Sequence, residues 1–503
     1  MTKNYEFFYD ESEHSRKINQ QTITAENYYD NFVTTTVGWR LLDNKEQERK
    51  YLAFETKYQN RKSNGELKSS TISNKQLKFG FASLTQDNIE FISDYLELFD
   101  NNTLFYISVT SKIEYIINQL FQGYQSSLFI DIESIKYSIV KIIVLYKPEQ
   151  IINGMYQNTR ELVDILKNFF LERIEFNKGN IELKRLENEI FGQIILLLND
   201  LKKNFEIDWE YRIAFTGFNN YLKENSIVKC KLYTDQEGNE RRTVIAAKET
   251  GIADVQEIDS LNSFGIRWAD MLAGLLTKLL KALHNDLAYL SLDDGINKKK
   301  LSERWFKLTT KQLELYKKFA FIISKLNNTW YKIYAGIYSD DLLILLTFLN
   351  FISQFSTVIE LEESNQELLL SEQFNSAMVI RMQDYFTELH SKLPIEPISV
   401  TEKEQDFFFG NRGEKIYFDD EMQPKLMIKE GSQIFEVLSV GISGTSNPNI
   451  TILKNNEVVC YRIPKYLVNW AFSCIKLANA NTNIFPSKVK FTKIGERYFA
   501  DIL

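Results

Sequence analysis

Five short stretches of the sequence place acidic side chains where they could take part in metal-dependent chemistry. The first, EFFYDES, runs from aromatic residues into Asp10, Glu11 and Ser12. Acids are ordinary where a strand leaves the core, so a solvated strand end is the simplest interpretation of Asp10. The alternative is a metal ligand at the edge of a sheet, and only the other stretches can decide between the two.

Two of the other stretches combine an acid with a lysine two residues later. NGELKSS contains Glu66 and Lys68 in a polar segment, and FETKY contains Glu55 and Lys57. Such pairs are common on protein surfaces, where they contribute little to stability. Beside a scissile phosphate, however, a lysine could stabilise the negative charge that develops during the reaction.

The most informative acid is Asp270, in RWADMLAGLL, because the predicted helix around it is otherwise apolar. The small residues of this stretch would let the helix lie close against a sheet, so Asp270 would be partly buried. Burying an unpaired carboxylate is costly, and Asp270 therefore needs a partner. Arg267, three residues earlier, is the ordinary candidate. Asp259, at the end of the short strand VQEI, would instead share a metal ion with Asp270.

Several carboxylates that meet from separated segments are the ligand set of two-metal phosphoryl transfer. Two Mg²⁺ ions about 4 Å apart stabilise the attacking and leaving oxygens of a phosphodiester, and carboxylates supply the hard oxygen ligands. The chain has only three histidines and three widely spaced cysteines, which argues against a zinc site and a disulfide framework. The expected cofactor is therefore Mg²⁺ or Mn²⁺.

Composition limits the class of protein. The 503 residues are 44% hydrophobic and 25% charged, with a net charge of −7, as in globular proteins and unlike polycations that coat nucleic acid. The N-terminus lacks the apolar core of a signal peptide. The longest apolar run, 341–355, is too short for a membrane span. We expect a cytoplasmic protein with no membrane partner.

The elements that must position these acids are predicted as α/β. Strands are predicted at 6–10, 31–42, 50–58, 103–109, 211–218, 227–235 and 242–249, with a helix at 265–287. Six of the seven prolines follow residue 393, which marks a change of architecture. The predicted domains are 1–290 (with a helical insertion at about 111–206), a helical region at 291–395 and a β-rich α+β domain at 396–503.

The motifs FFYDES, GELKSS and IDSLNSFGIRWADMLAGLL, in this order, resemble those of the DUF3800 family of predicted ribonuclease-H-like nucleases. The resemblance covers about residues 5–285, apart from the helical insertion. It implies an RNase-H-like mixed sheet with Asp10 as the ligand on the first strand and Glu11 and Ser12 beside it. Glu66 and Lys68 take the Glu-x-Lys motif, and GELKSS fits it better than FETKY. Asp259 with Ser260 and Asp270 take the last two motifs.

The chain departs from the family pattern in one place that affects the metal count. RNase-H-like sheets often carry an Asp on the fourth strand. The candidate strands TLFYISV and YRIAFTGF have Ser108 or Thr216 where that Asp is expected.

Two functions remain open. The first is a metal-dependent nuclease with Asp10, Glu66, Asp259 and Asp270 as metal ligands and Lys68 at the phosphate. Its large accessory regions suit phage or mobile-element defence. The second is a non-catalytic RNase-H-like scaffold that binds nucleic acid or a protein, which the missing fourth-strand Asp favours. Under either hypothesis an apolar helix at 341–355 could mediate homo-oligomerisation, although a core helix is the simpler interpretation.

Overall fold

A computed structural model of the chain divides into two compact units. The first consists mainly of residues 1–120 and 139–379, and the second mainly of residues 417–503, with 121–138 also assigned to it. The structure describes residues 4–503 except 14–17, 26–27, 124–131, 156–158, 202–203, 205, 238–240, 289–299, 328, 391–424, 444–446, 455–456, 469, 472, 475–483 and 496.

The regular elements are numbered along the chain. The strands are β1 (Asn4–Ser12), β2 (Asn31–Arg40), β3 (Lys78–Phe81), β4 (Leu104–Ser111), β5 (Lys229–Asp235), β6 (Val255–Ile258), β7 (Ile333–Ala335), β8 (Gly431–Ser443), β9 (Asn447–Lys454), β10 (Glu457–Arg462), β11 (Ser487–Ile494) and β12 (Arg497–Ile502). The helices are α1 (Gln20–Ile23), α2 (Asn44–Lys57), α3 (Gln86–Leu96), α4 (Lys112–Leu120), α5 (Ile132–Tyr146), α6 (Glu149–Gly154), α7 (Thr159–Phe176), α8 (Ile181–Asp200), α9 (Ile213–Glu224), α10 (Arg242–Glu249), α11 (Phe264–Leu287), α12 (Thr310–Ser324), α13 (Asp340–Ser353), α14 (Val358–Glu367) and α15 (Leu370–His390).

The first unit is built on a mixed sheet whose described strands lie in the order β6-β5-β1-β2-β4-β7. Strand β2 runs antiparallel to its neighbours β1 and β4. The pairs β1–β5, β5–β6 and β4–β7 are parallel. All strands except β2 therefore point the same way, and their carboxyl ends meet at one edge, where open α/β sheets place their ligand sites.

Helices cover both faces of this sheet. Phe7 of β1 packs on Phe218 of α9, with ring centroids 5.1 Å apart, whereas its neighbour Phe8 packs on Phe264 of α11 at 5.9 Å. Strand β2, in the middle of the sheet, is buried along its length except for Arg40. A strand that is covered on both faces has consecutive buried residues, rather than buried and exposed residues in alternation. The predicted α/β class of the first region is confirmed.

Three predicted strands are wrong. Residues 50–58 belong to α2, 211–218 largely to α9, and 242–249 to α10. Their aromatic and β-branched residues imitate strand composition over a short window, but the buried positions follow a helical period. In α2 the buried residues are Gln47, Tyr51, Phe54 and Glu55, and in α9 the spacing of the buried aromatics is again three. Tertiary packing, rather than strand propensity, decides these segments.

The helical character predicted for residues 111–206 is confirmed, since α4 to α8 fill most of residues 112–200. The region 291–395 is also mainly helical, but it contributes β7 to the sheet of the first unit, and α12 and α13 pack together. That compact unit therefore extends well beyond residue 290. Helix α13 is largely buried, with Leu343 and Leu349 fully inside.

No single described helix is long and apolar enough to cross a bilayer. Only α13 and α14 taken together pass that test by length and composition, and the break between them bends the chain by 104°.

The second unit contains an antiparallel sheet in the order β10-β9-β8-β11-β12. One face packs into a core that includes Val437, Ile452, Phe491 and Leu467. Strands β9 and β10 form an antiparallel pair. The β-rich character predicted for the tail is confirmed within the described residues, which begin at 425 in this region.

Candidate functional site

A cleft of about 610 Å³ lies at the carboxyl ends of β1 and β5. Most of its lining residues are polar or charged, which makes it different from an apolar binding pocket. The lining consists of Tyr9, Asp10, Glu11, Glu66, Lys68, Thr234, Asp235, Gln236, Glu237, Arg242, Thr243, Ser260, Ile266, Arg267 and Asp270. Six of these residues are acids and three are bases, so the cleft carries an excess of negative charge.

Two neighbouring parallel strands each end in an aspartate at this cleft. The register pairs Tyr9 of β1 with Thr234 of β5, so Asp10 and Asp235 follow at the same level. Side chains alternate along a strand, and Phe8 and Tyr233 stack on each other with centroids 5.1 Å apart. The two aspartates, two residues further on, therefore share that face of the sheet.

Asp235 is the site residue that the sequence analysis missed. Strand β5 is the fourth strand of the sheet in chain order, because β3 lies outside it. The strands proposed for this position are wrong: Ser108 lies on β4, the third strand, and Thr216 is exposed on α9. The sequence did contain one signal for Asp235. The segment LYTD, which ends in Asp235, resembles FFYD, which ends in Asp10, because both are short runs with aromatic residues that end in Asp.

Asp270 projects from the second turn of α11 and is held by one residue of GELKSS. The Ser69 backbone N–H donates to Asp270 Oδ2 (2.8 Å), and the Ser69 hydroxyl donates to Oδ1 (3.0 Å). A Cβ at Gly274 would lie 2.2 Å from Ser69 Cβ, so the missing side chain is what lets this segment approach the helix. Lys278 supports the arrangement by donating to the Ser69 carbonyl (3.0 Å).

The expected pairing of Asp270 with Arg267 is wrong. The Arg267 guanidinium instead pairs with Glu55 of α2, with Nε 2.6 Å from Oε1. It also donates to the carbonyls of Ser260 and Leu261. Glu55 accepts from Lys62 as well (2.9 Å). Breaking such a buried pair would leave an uncompensated charge, so this network is a structural support for the start of α11.

Glu66 reaches the cleft from a tight turn. Asn64 and Gly65 have positive φ values of 51° and 86°, and Ser63 and Glu66 exchange backbone hydrogen bonds of 2.8 and 3.1 Å. An Asn-Gly pair suits these left-handed positions. The Glu66 carboxylate accepts from the Ser260 hydroxyl (2.9 Å) and pairs with Lys68 (2.8 Å).

The remaining predicted residues lie outside this cluster or at its margin. Asp259 does not line the cleft, because its carboxylate accepts from Leu261 N and begins a 3₁₀ turn (Ser260–Asn262). Its neighbour Ser260 takes its place, donating to Glu66 and, through its backbone N–H, to Asp235 (3.1 Å). Glu11 lines the cleft and accepts from Tyr9 OH (2.9 Å). Lys57 is paired with Asp94 and Glu55 with Arg267, so no side chain of FETKY itself lines the cleft.

The clustered acids perturb each other. Burial raises the pKa of the Asp10 carboxyl well above its ordinary value of 3.8, and the charge of Asp270 raises it further, with smaller effects from Glu11 and Asp235. Burial also raises the pKa of Asp270 and of Asp235, although hydrogen bonds from Ser69 to the former and from Gln236 and Ser260 to the latter oppose it. Strongly perturbed acids in a cleft are typical of functional sites.

Lys68 is tied electrostatically to the same cluster. Its hydrogen bond with Glu66 raises the pKa of the ammonium, partial burial opposes this, and the charges of Asp270 and Asp235 add to the rise. The side chain is half exposed, at 49%. A charged lysine with a half-exposed side chain, under the influence of three carboxylates, is thus placed to contact an anionic ligand in the cleft.

The residue types of the cleft fit Mg²⁺ or Mn²⁺. The lining contains carboxylates and neither histidine nor cysteine, which is the donor chemistry that these ions prefer. In the described part of the chain, no three such side chains are arranged as ready ligands of a single ion. The fold nevertheless brings like charges together from β1, β5, α11 and the Glu66 turn. A divalent cation would offset the burial that raises their pKa values and, at Asp10 and Asp235, the repulsion by neighbouring carboxylates.

Ser69 offers a test of this interpretation. Removing its hydroxyl in Ser69→Ala deletes one of the two donors that orient Asp270. We expect Mn²⁺ affinity, measured by isothermal titration calorimetry, to fall about 10- to 100-fold, the usual effect of losing a residue that orients a metal ligand. Ser70→Ala, at the exposed neighbouring serine, is the matched control. Equal Mn²⁺ affinity in wild type and both variants would contradict this role of Ser69.

The site must be interpreted from its own residues. The resemblance to the DUF3800 family rests on the motifs quoted above and stays a prediction. In comparisons with known proteins, no family model, no curated protein and no solved structure matches this chain.

Proposed function

We propose that the protein is a divalent-metal-dependent nuclease built on an RNase-H-like sheet. The observation that carries this proposal is the meeting of Asp10, Asp235, Asp270 and Glu66 in one cleft at the carboxyl edge of the sheet. These acids come from four separate segments of the chain. A cluster of like charges is unfavourable in itself, and it is therefore better explained by chemistry than by stability.

The sheet supports the RNase-H-like part of the proposal. An acid at the end of the first strand and an Asp on the fourth strand are the two strand-borne ligands that the resemblance implies. Strand β5 is the fourth strand of the sheet and lies parallel to β1, and Asp235 is its last residue. An Asp at this position supports the nuclease over the non-catalytic scaffold, which the apparent absence of a fourth-strand Asp had favoured.

The charge of the cleft supports dependence on a cation. Acids outnumber bases six to three among the lining residues, so a phosphodiester would be repelled from the empty cleft. Asp10, Glu66, Asp235 and Asp270 are the side chains that would hold the ions. When bound, the ions would supply charge neutralisation and an activated water for attack on phosphorus.

The other residues have positioning roles in this proposal. Ser69 fixes the orientation of Asp270, and Ser260 connects Glu66 to Asp235. Lys68, with its half-exposed ammonium, would contact a non-bridging phosphate oxygen. A part in defence against phages or mobile elements stays a hypothesis that follows from the size of the accessory regions.

The test is cleavage of labelled single- and double-stranded RNA and DNA in Mg²⁺ or Mn²⁺. We expect Asp235→Asn to reduce the cleavage rate by about 10²-fold or more, as for loss of a group that stabilises developing charge. Asp259→Asn should retain the wild-type rate within a few-fold, because its carboxylate only begins a turn. These two variants distinguish the ligand set inferred from the structure, which includes Asp235, from the set expected from the sequence, which includes Asp259.

Asp254→Asn is the control for a general effect of removing an acid. Asp254 immediately precedes β6, at the opposite edge of the sheet, and accepts only from Gln256 (3.2 Å) among its described side-chain hydrogen bonds. Cleavage lost in Asp259→Asn but kept in Asp235→Asn would overturn the assignment of ligands. A wild-type protein that binds no Mn²⁺ and cuts none of the four substrates would leave the scaffold as the remaining function.

A further inference from the structure

The two ends of the chain differ in charge. Residues 417–503, the main part of the second unit, contain ten Lys and Arg and eight Asp and Glu, a net charge of +2. The preceding 416 residues contain fifty Lys and Arg and fifty-nine Asp and Glu, a net charge of −9, which together give the −7 of the chain. This part of the chain is therefore slightly basic in a protein that is acidic overall, which suits an anionic ligand.

The same unit exposes aromatic rings on its surface. The Tyr466 side chain is 71% exposed, and its ring is nearly parallel to that of Tyr498, at 16° with centroids 6.1 Å apart. The ammonium of Lys493 lies 5.7 Å from the Tyr498 ring centroid. Lys465, which precedes Tyr466, is also exposed. We call Lys465, Tyr466, Lys493 and Tyr498 the tyrosine patch.

The sheet holds the patch in place. Lys493 and Tyr498 are cross-strand neighbours on β11 and β12, and Leu467, next to Tyr466, is 3% exposed in the core of the unit. On the opposite face of β12, Phe499 is 46% exposed. Rings anchored at one end and open at the other lose little conformational freedom when a ligand stacks on them.

We propose that the tyrosine patch is a stacking platform for single-stranded nucleic acid. Unpaired bases stack on exposed aromatic rings with little regard to sequence, while lysines neutralise the phosphates between them. A duplex would hide its base faces and leave the ring of Tyr466 without a partner. The inference shares only the class of ligand with the proposed nuclease function. It rests on the exposed Tyr466 ring, its stacking on Tyr498 and the lysines beside them.

The experiment measures binding apart from cleavage. Full-length Asp10→Asn protein in EDTA is titrated with fluorescein-labelled 20-nucleotide oligo(dT) and oligo(rU) and with a duplex, and binding is followed by fluorescence anisotropy. We expect single strands to bind more tightly than the duplex. Tyr466→Ala should weaken single-strand binding about tenfold, within the range for loss of one stacked base. Tyr466→Phe should restore it.

A second variant measures the electrostatic contribution to single-strand binding. Lys493→Gln should weaken binding and lower the slope of log affinity against log salt by about 0.7, the contribution of one phosphate contact to a single strand. Phe176→Ala is the matched control, because that ring is 75% exposed on α7 in the acidic part of the chain. It should leave the affinity unchanged.

Two outcomes would overturn the inference. One is wild-type affinity in both Tyr466→Ala and Lys493→Gln. The other is a change of oligomeric state in Tyr466→Ala, seen by light scattering with unchanged oligonucleotide affinity, which would assign the patch to contacts with a second copy of the chain. Failure of the nuclease proposal is distinguishable, because it would appear as absent cleavage by wild type in Mn²⁺ while binding in EDTA persists.

Discussion

Replacing Asp10 with asparagine is expected to abolish cleavage and to stabilise the protein at the same time. Asp10 is the acid whose pKa is raised by burial and by the charges of both Asp270 and Asp235, so it lies at the centre of the cluster. Removing its charge should lower the cleavage rate by about 10³-fold, at the upper end of the range for a group that acts on developing charge.

The stabilisation follows from the same like-charge contacts. Burial and the neighbouring carboxylates raise the pKa of Asp10 in the folded state, so its ionised form lowers the free energy of unfolding. Asparagine keeps the shape and the acceptor for the Glu11 N–H (2.7 Å) without the charge. We expect the melting temperature to rise by about 2 °C, roughly the shift that 1 kcal/mol produces in a large domain.

The measurement pairs a cleavage assay with calorimetric melting of the same samples. Asp254→Asn, outside the cleft, should change neither quantity. A variant that loses both activity and stability would identify Asp10 as a structural residue. A variant that melts at a higher temperature but still cleaves nucleic acid would show that Asp10 is not an active-site residue.

Sequence patterns predicted the fold where the buried residues of a segment had one clear period. Strands β1, β2, β4 and β5 and helix α11 are all close to their predicted bounds, since each is long or bounded by polar residues. Helices α2, α9 and α10 were mistaken for strands because their aromatic and β-branched residues crowd one face, and a window of about nine residues contains too few turns to show it. Strand β7 has three residues, too few for any pattern.

The site was predicted where an acid stood in an improbable context. An acid within an apolar helix, as Asp270 is, signals a partner at the level of sequence, because its burial has a cost. The sequence around Asp235 does not indicate burial, since an Asp followed by Gln and Glu is typical of an ordinary strand end. Its importance depends on β5 lying beside β1 in parallel register, and that pairing joins residues more than 200 positions apart.

Asp259 shows the opposite error. Its Asp-Ser context fits the resemblance, but the carboxylate turns back to accept from Leu261 N (2.9 Å) while Ser260 faces the cleft. A one-residue difference in which side chain faces inward cannot be read from spacing. The Asn64-Gly65 turn, in contrast, is a local feature with a definite backbone geometry, and Glu66 after it lines the cleft.

Divalent cations are expected to stabilise the protein in a manner that depends on pH. The pKa values of Asp10, Asp235 and Asp270 are raised above 3.8 in the folded state, by burial first. The folded state then binds more protons than the unfolded chain between the two sets of pKa values, so the stability of the metal-free protein falls as pH rises from about 4 through the folded-state values. Below that window the three groups are protonated in both the folded and the unfolded state, so their titration no longer changes the stability.

Binding of a cation should offset this loss, because it supplies the opposite charge once the protons have left. At a concentration about 100-fold above its dissociation constant, Mn²⁺ would add roughly 2.7 kcal/mol. We therefore expect a melting temperature several degrees higher in Mn²⁺ than in EDTA at pH 8, and almost no difference at pH 4.5, where protons compete for the same oxygens. The measurement is calorimetric melting across this pH range.

The variants determine whether the cation acts in the cleft. Asp270→Asn should lose most of the stabilisation at pH 8, because it removes a charge that the cation would neutralise, while Asp254→Asn should keep it. If Mn²⁺ raised the melting temperature of Asp270→Asn as much as that of wild type, the ion would bind elsewhere and the cleft would not be the metal site. If the metal-free protein became more stable from pH 5 to pH 8, the repulsion between these carboxylates would not be a significant term in the folded state.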